Sequence, residues 1–331
     1  MSESRTSVRL DIAVADYPQT SGLKDGTYPM HDIDANFIKV DPIIAAYRRM
    51  VRGLEFDVCE MAPTTFMIAR GYGAPYKALP IFVSRKFHHG GLVCREDADI
   101  KTPKDLEGKK VGVRAYSVTT GVWTRGILVN EFGLDDKKVT WVVDDEEHVT
   151  QLRLPENVIH VPQGKSLAGM MAEGEIQAGF TARAGIGREG PPKAGWEAEG
   201  QKPMPQIYQD LFPNTAELEA DWYRRTKVYP MHGLIVVKDD IVRDHPHVPK
   251  AIYQAYVDAH DAWLKKLSSG EADTAEDRRY RELTKVVGPD PLPYGMKANL
   301  PSIQAMHDYA FQQGLIPRRL TIDEMFIDPD A

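Results

Sequence analysis

Two periods of apolar and polar positions alternate along the chain. Val8–Ala15 is apolar except at Arg9 and Asp11, which predicts a buried strand. Ile33–Val40 alternates and predicts a second strand. Pro42–Arg52 carries its apolar residues at helical spacing, and Phe56–Met61 is an apolar run too short for a helix. A short helix over Thr64–Tyr72 and strands over Leu79–Ser84 and Gly91–Arg95 follow. Strands alternating with helices predict a parallel or mixed sheet covered on both faces.

The stretch Ile100–Val113 begins a second series. Thr102 can cap a one-turn helix whose first position suits Pro103, Gly108 ends it, and Lys110–Val113 starts a strand. This segment resembles the one that begins the second lobe of type II periplasmic binding proteins. A helix over Ser117–Phe132 closed by Gly133, strands over Val139–Val143, Val158–Val161 and Ile176–Thr181, and a helix over Ser166–Glu173 continue the pattern. Gly, Pro and charge dominate Gly185–Pro205, which predicts a long loop. Leu211–Thr226 reads as a helix, Met231–Val237 as a strand returning to the first lobe, and Val248–Leu267, Ala275–Val287 and Leu300–Gln313 as helices.

The expected architecture is α/β: a two-lobed type II periplasmic-binding-protein-like fold, each lobe a mixed sheet flanked by helices, with a helical C-terminal region. Residues 1–98 and 232–331 are expected in lobe one and 99–231 in lobe two, with a ligand held in the cleft between them at the carboxyl ends of the strands.

Composition narrows the function. The 331 residues, 42% hydrophobic, suffice for two cores. With 41 basic and 48 acidic side chains the formal net charge is −7, so neither nucleic acid nor an anionic membrane is an expected partner. An anionic ligand therefore needs a local cluster of Arg, His or helix N-termini. Cys59 and Cys94 have no zinc-type spacing and read as reduced, buried thiols. The first residues lack a basic segment followed by a long apolar one, and no stretch has the length of a membrane span, so a cytoplasmic protein is expected. Walker, dinucleotide-binding, nucleophile-elbow and HExxH motifs are absent.

Four constellations can carry chemistry. Ser84–His89 places Arg85, Phe87, His88 and His89 on a loop between strands, where Arg can grip a carboxylate and His can exchange a proton; a solvated basic turn is the alternative. Neighbouring His88 and His89 are expected to point in different directions. Tyr116, Ser117 and Thr119 start a long helix whose free N–H groups suit an anion or are simply capped by Ser117. On that helix Trp123 can stack on a flat ligand or join the core, and Arg125 can face the ligand. Arg183 follows a buried strand, and His232 stands where the chain returns to the first lobe. Glu60 and Tyr17, at strand ends, can line the ligand site or cap the following loops.

These pieces resemble the 4,5-dihydroxyphthalate decarboxylases. The matching segments are Ala13–Tyr17, Phe56–Met61, Pro80–Gly90, Lys109–Val113, Val122–Leu128, Ala182–Ala184, Trp222–Thr226, Pro230–Gly233, Pro293–Gly295 and Gln313–Leu320, nearly end to end. The entire Gly185–Pro205 loop and the extra His88 before the matching His89 depart from the family pattern.

The resemblance implies decarboxylation of 4,5-dihydroxyphthalate to 3,4-dihydroxybenzoate without a cofactor; no metal site is read from the spacing, and a metal-assisted variant with His89, His232 and Glu60 as ligands stays open. It implies His89 or His232 as the acid that protonates the ring carbon, with the other His and Glu60 drawing the proton from the para hydroxyl. Arg85, Arg125 and Arg183 would hold the retained carboxylate with Thr119 and the helix start. The leaving carboxylate would lie near Trp123 or Phe87. The expected partner is a small aromatic dicarboxylate, and the sequence leaves a homo-oligomer open. The alternatives are a non-catalytic solute-binding protein for an aromatic or dicarboxylic acid and another small-molecule enzyme on the same scaffold.

Overall fold

A computed structural model describes residues 7–187 and 208–329. Its strands are β1 (Val8–Ala13), β2 (Ile33–Phe37), β3 (Val58–Met61), β4 (Tyr76–Arg85), β5 (Leu92–Arg95), β6 (Lys110–Gly112), β7 (Thr140–Val143), β8 (Val158–His160), β9 (Ala178–Phe180), β10 (Tyr208–Asp210) and β11 (Met231–Lys238). Its helices are α1 (Ile44–Gly53), α2 (Pro63–Gly71), α3 (Thr119–Phe132), α4 (Leu167–Glu173), α5 (Thr215–Thr226), α6 (Asp239–Asp244), α7 (Val248–Ser269), α8 (Ala275–Val287), α9 (Met296–Gln312) and α10 (Ile322–Met325). No helix among the described residues is long and apolar enough to cross a membrane.

The chain forms two compact units. The first comprises Met1–Lys86, Tyr223–Gln304 and Leu320–Ala331; the second comprises Phe87–Trp222 and Ala305–Arg319. The first unit holds a five-stranded sheet in the order β2-β1-β3-β11-β4. β1 is parallel to β2 and β3, while β11 runs antiparallel to both β3 and β4. The C-terminal ends of β1, β3 and β4 and the N-terminal end of β11 therefore share one edge. Leu10, Ile12, Val58, Leu79, Ile81 and Ile235 pack there against Val248, Ile252, Ala255 and Tyr256 of α7.

The second unit holds a six-stranded sheet in the order β10-β5-β9-β6-β7-β8. β9, β6, β7 and β8 are mutually parallel, and β5 is antiparallel to β9. Its edge at the C-terminal ends of β6, β7 and β9 also receives the loop that enters β5. Val93, Val142, Leu167, Met171 and Ile176 pack together as its core.

Both boundaries differ from those the residue pattern predicts. The chain changes unit between Lys86 and Phe87, not near residue 98, because β5 pairs with β9: Leu92 lies opposite Phe180 and Cys94 opposite Ala178. It returns between Trp222 and Tyr223, ahead of residue 232, because Tyr229 is held within the first unit, its N–H donating to Ser302 Oγ at 2.9 Å. Residues 305–319, expected in lobe one, join the second unit, where Gln313 Nε2 donates to the Val122 carbonyl at 2.9 Å.

Several elements also shift. Tyr208–Asp210 is a strand paired with β5, and α5 starts at Thr215 rather than Leu211, because Leu211 and Phe212 turn into the core. α9 starts at Met296 rather than Leu300, with Pro301 inside it. The expected Gly185–Pro205 loop lies outside the described residues from position 188 onward.

α3 packs closely on the last turns of α9. A Cβ added at Gly126 would stand 2.1 Å from Tyr309 Cδ2, and the Tyr309 ring meets Trp123 edge-on at 5.7 Å. Helix propensity alone favours Ala over Gly by about 1 kcal/mol. The clash reverses that sign: Gly126→Ala should destabilise the protein by about 1–3 kcal/mol, read from urea unfolding midpoints. A stabilised variant would contradict the close approach of Tyr309.

Candidate functional site

The shared edge of the first sheet gathers Glu60, Arg85 and His232. Glu60, 1% exposed, ends β3 with its carboxylate turned inward. It accepts from the Tyr17 hydroxyl at 2.6 Å, the Tyr47 hydroxyl at 3.0 Å and the Ala15 N–H at 3.0 Å. Burial raises its pKa above the usual carboxylate range, while these three donors pull it back. Glu60 thus ties the ends of β1 and β3 to α1.

Arg85 ends β4 and is also buried. Its guanidinium donates to the Tyr229 carbonyl at 2.6 Å and to Asn299 Oδ1, and it lies over the rings of Phe82 and Tyr229 at 4.8 and 5.1 Å. These partners are neutral oxygens and ring faces, and its Nε is buried without a hydrogen bond. Burial pulls its pKa down to about 10. A buried cation without a carboxylate partner gains from an anion brought to its vicinity.

His232 enters β11 beside these groups. Met231 pairs with Arg85 and Gly233 with Ser84, which sets His232 next to the end of β4. A Cβ at Gly233 would lie 3.3 Å from Glu60 Oε1 and 3.0 Å from Val83 Cγ2, so the absence of a side chain there lets the carboxylate approach β11. Burial holds the His232 pKa well below the usual imidazole value, reinforced by the charges of Lys86 and Arg279. The ring is neutral near pH 7 and able to accept a proton.

The second unit holds the other expected residues. His88 and His89 part as their adjacency predicts. The His88 ring lies parallel to Trp123, 8° apart with centroids at 6.4 Å, and its carbonyl accepts from Thr124 Oγ1 at 2.9 Å. His89 packs edge-on against Trp222 at 5.2 Å and tilted against Phe212 at 6.4 Å. Phe87 meets the Trp222 ring at 6.4 Å. The Glu219 carboxylate accepts from the backbone N–H groups of His89 and Gly90; burial lifts its pKa to about 7 against those two donors.

The structure decides between the readings offered for α3 and its start. Trp123 is fully buried between His88 and Tyr309, so it belongs to the core and offers no face to a flat ligand. Ser117 does not cap the helix, which begins at Thr119 after Val118. Its Oγ instead donates to the Glu147 carboxylate, which also accepts from the Tyr116 N–H at 2.7 Å and the Ser117 N–H at 3.2 Å. The anion seat before the helix is thus filled by a carboxylate of the chain itself. Thr119 is buried in the first turn.

Arg125 is fully buried; its Nε donates to Gln313 Oε1 at 2.9 Å, another nitrogen donates to the Tyr116 carbonyl, and its plane covers the Tyr116 ring at 3.9 Å. It braces the chain ahead of α3 from inside. Arg183 is exposed on the turn Ala182–Ala184. Among the described residues no three His, Cys, Asp or Glu side chains are grouped as metal ligands would be.

Glu147, Glu219, Tyr47 and Asn299 escape the sequence reading because their partners are distant in the chain. Only the acidic run Asp144–Glu147 offers a local signal, four carboxylates just after a buried strand.

The depressed His232 value has a stability consequence. The unfolded chain takes up the proton at about pH 6.5, before the folded protein does. The stabilisation is complete above that pH and is lost as pH falls from there toward the folded value. Lowering pH from about 7.5 to about 5.5 should therefore cost the wild type more unfolding free energy than His232→Gln, measured by denaturant titration. Equal losses would show that His232 titrates normally.

Residues 47–178 match the family model described as NMT1/THI5 like. The chain is 29% identical to a 4,5-dihydroxyphthalate decarboxylase of Comamonas testosteroni, over 97% of both chains. It is 32% identical to a 4,5-dihydroxyphthalate decarboxylase of Pseudomonas putida, over 66% of this chain and 82% of that one. Its fold is similar to that of the putative periplasmic sulfonate-binding protein SsuA of Methylobacillus flagellatus (TM-score 0.55, 15% identity, 98% and 92% of the chains). The desulfurization enzyme DSZB is similar at a TM-score of 0.51 and 12% identity, over 97% and 96% of the chains. The two structural likenesses show the periplasmic-binding-protein fold, and the two sequence relatives show the family. The chain belongs to the 4,5-dihydroxyphthalate decarboxylase family, a family of carboxy-lyases.

Proposed function

We propose that this protein decarboxylates 4,5-dihydroxyphthalate, or a closely related hydroxylated aromatic dicarboxylate, without a cofactor, giving 3,4-dihydroxybenzoate from the former. The observation that carries this reading is the match to a decarboxylase of that name across 97% of both chains.

The chemistry asks for two proton transfers and one cationic hold. A proton is added to the ring carbon bearing the leaving carboxylate while the para hydroxyl gives up its own, forming a dienone. The carbon–carboxyl bond then breaks, CO2 departs, and the bonding pair returns to the ring as the oxygen regains a proton. One proton is consumed for each CO2 released.

His232 suits the hydroxyl proton, since burial and two neighbouring cations keep it neutral at rest. Glu60 is the proposed partner of His232 in that transfer. His89 is the proposed ring-protonating acid. Arg85, with only neutral partners, is the first choice for the retained carboxylate, and Arg125 and Arg183 are further cations. A substrate carboxylate can use the N–H groups of Tyr116 and Ser117 only after Glu147 leaves them. Phe87 offers apolar surface to the leaving carboxylate, where weak ground-state binding favours its loss.

Metal-stripped protein mixed with 4,5-dihydroxyphthalate should release CO2 and 3,4-dihydroxybenzoate in equal amounts, followed by chromatography. Binding without turnover would leave a solute-binding protein instead. His89→Ala should keep its fold and lose about 10²–10⁴-fold in kcat. Wild-type turnover in that variant would remove His89 from the reaction.

A further inference from the structure

We propose that Glu219 is a positioning residue for His89: its carboxylate fixes the backbone of the turn at His89 and Gly90 and so sets the direction of the His89 imidazole. The proposal rests on the reading of His89 as the ring-protonating acid.

The carbonyls of the turn between β4 and β5 are held from the second unit: Thr124 Oγ1 donates to that of His88 at 2.9 Å and the Thr181 N–H to that of Gly91 at 2.8 Å. Gly91 adopts φ +87°, a left-handed conformation that redirects the chain into β5. The sheet ladder resumes only at Leu92, opposite Phe180. Ahead of it, the N–H groups of His89 and Gly90 converge on one carboxylate, that of Glu219. A buried backbone N–H needs an acceptor, and Glu219 supplies one side chain to both.

One face of α5 serves this turn at three successive levels. Thr215, Glu219 and Trp222 are spaced by four and three positions, which aligns them along a helix. The Thr215 methyl lies 3.4 Å from the place a Cβ at Gly90 would take. Glu219 holds the backbone, and the Trp222 ring meets the His89 imidazole edge-on at 5.2 Å. The helix thus fixes both the backbone and the ring of His89. Glu219 lies mid-helix, where no orphan helix N–H requires a cap.

The test compares Glu219→Ala, Glu219→Gln, His89→Ala and the double variant Glu219→Ala/His89→Ala. Glu219→Ala should lower kcat about tenfold or more while KM changes little, since misplacing a reacting group costs rate rather than binding. Glu219→Gln retains an acceptor oxygen and should recover most of the loss. In the His89→Ala background, Glu219→Ala should cost nothing further in kcat, as expected for two residues acting as a unit. The His89 ring resonances should move in Glu219→Ala and return toward wild type in Glu219→Gln, independently of turnover. Unmoved His89 resonances, or an equal kcat loss with and without His89, would overturn the positioning role. Wild-type turnover in His89→Ala with moved resonances would overturn only the assignment of His89 as the acid and leave the contact with Glu219 standing.

Discussion

Insertion of β11 between β3 and β4 is the constraint on which the first unit depends. The strand comes from far along the chain and runs antiparallel to both neighbours, pairing Leu234 with Met61 and Met231 with Arg85. Without it the parallel strands β1 and β3 would lack their connection to β4. The same insertion carries His232 to the edge where β3 ends in Glu60 and β4 in Arg85. Gly233 makes the arrangement possible, because any side chain there would meet Val83 and the Glu60 carboxylate.

Two buried arginines have partners that satisfy their hydrogen bonds without an opposite charge. Arg85 donates to a carbonyl and an amide, and Arg125 to an amide and a carbonyl. The Arg114–Asp145 pair, at 2.8 Å with both side chains buried, is the contrasting case in which two charges compensate each other. Desolvation without an opposite charge is costly, so such cations persist where the surrounding fold over-determines them. Arg125 has the features of a brace, locked by Gln313 and Tyr116 inside the second unit. Arg85 stands at the end of β4, opposite Met231 of β11.

Carboxylates do the opposite work in the second unit. Glu147 and Glu219 each collect backbone N–H groups that no strand or helix uses: those of Tyr116 and Ser117 for the first, those of His89 and Gly90 for the second. Each holds a loop at the edge of the sheet through backbone N–H groups that donate to its side chain. Loops of this kind carry the chemistry in open α/β sheets, and an internal acceptor is one way to make a loop backbone rigid.

The sequence by itself determined most strands and helices and the fold class, since apolar period and turn residues act locally: β1, β6, α3 with its closing Gly133, and α7 stand close to where the pattern predicts them. It also brought forward Glu60, Arg85, His89 and His232 as candidates, because their residue types at strand ends carry chemistry wherever they occur. Tertiary structure alone decided which unit β5 and residues 305–319 join, since strand pairing and helix docking are made with distant partners. It decided that Trp123 is core, that Ser117 serves Glu147 instead of capping α3, and that Arg183 stays exposed. The physical reason is the same in each case: burial and hydrogen-bond partnership depend on what the rest of the chain brings to a residue, and no local pattern encodes that.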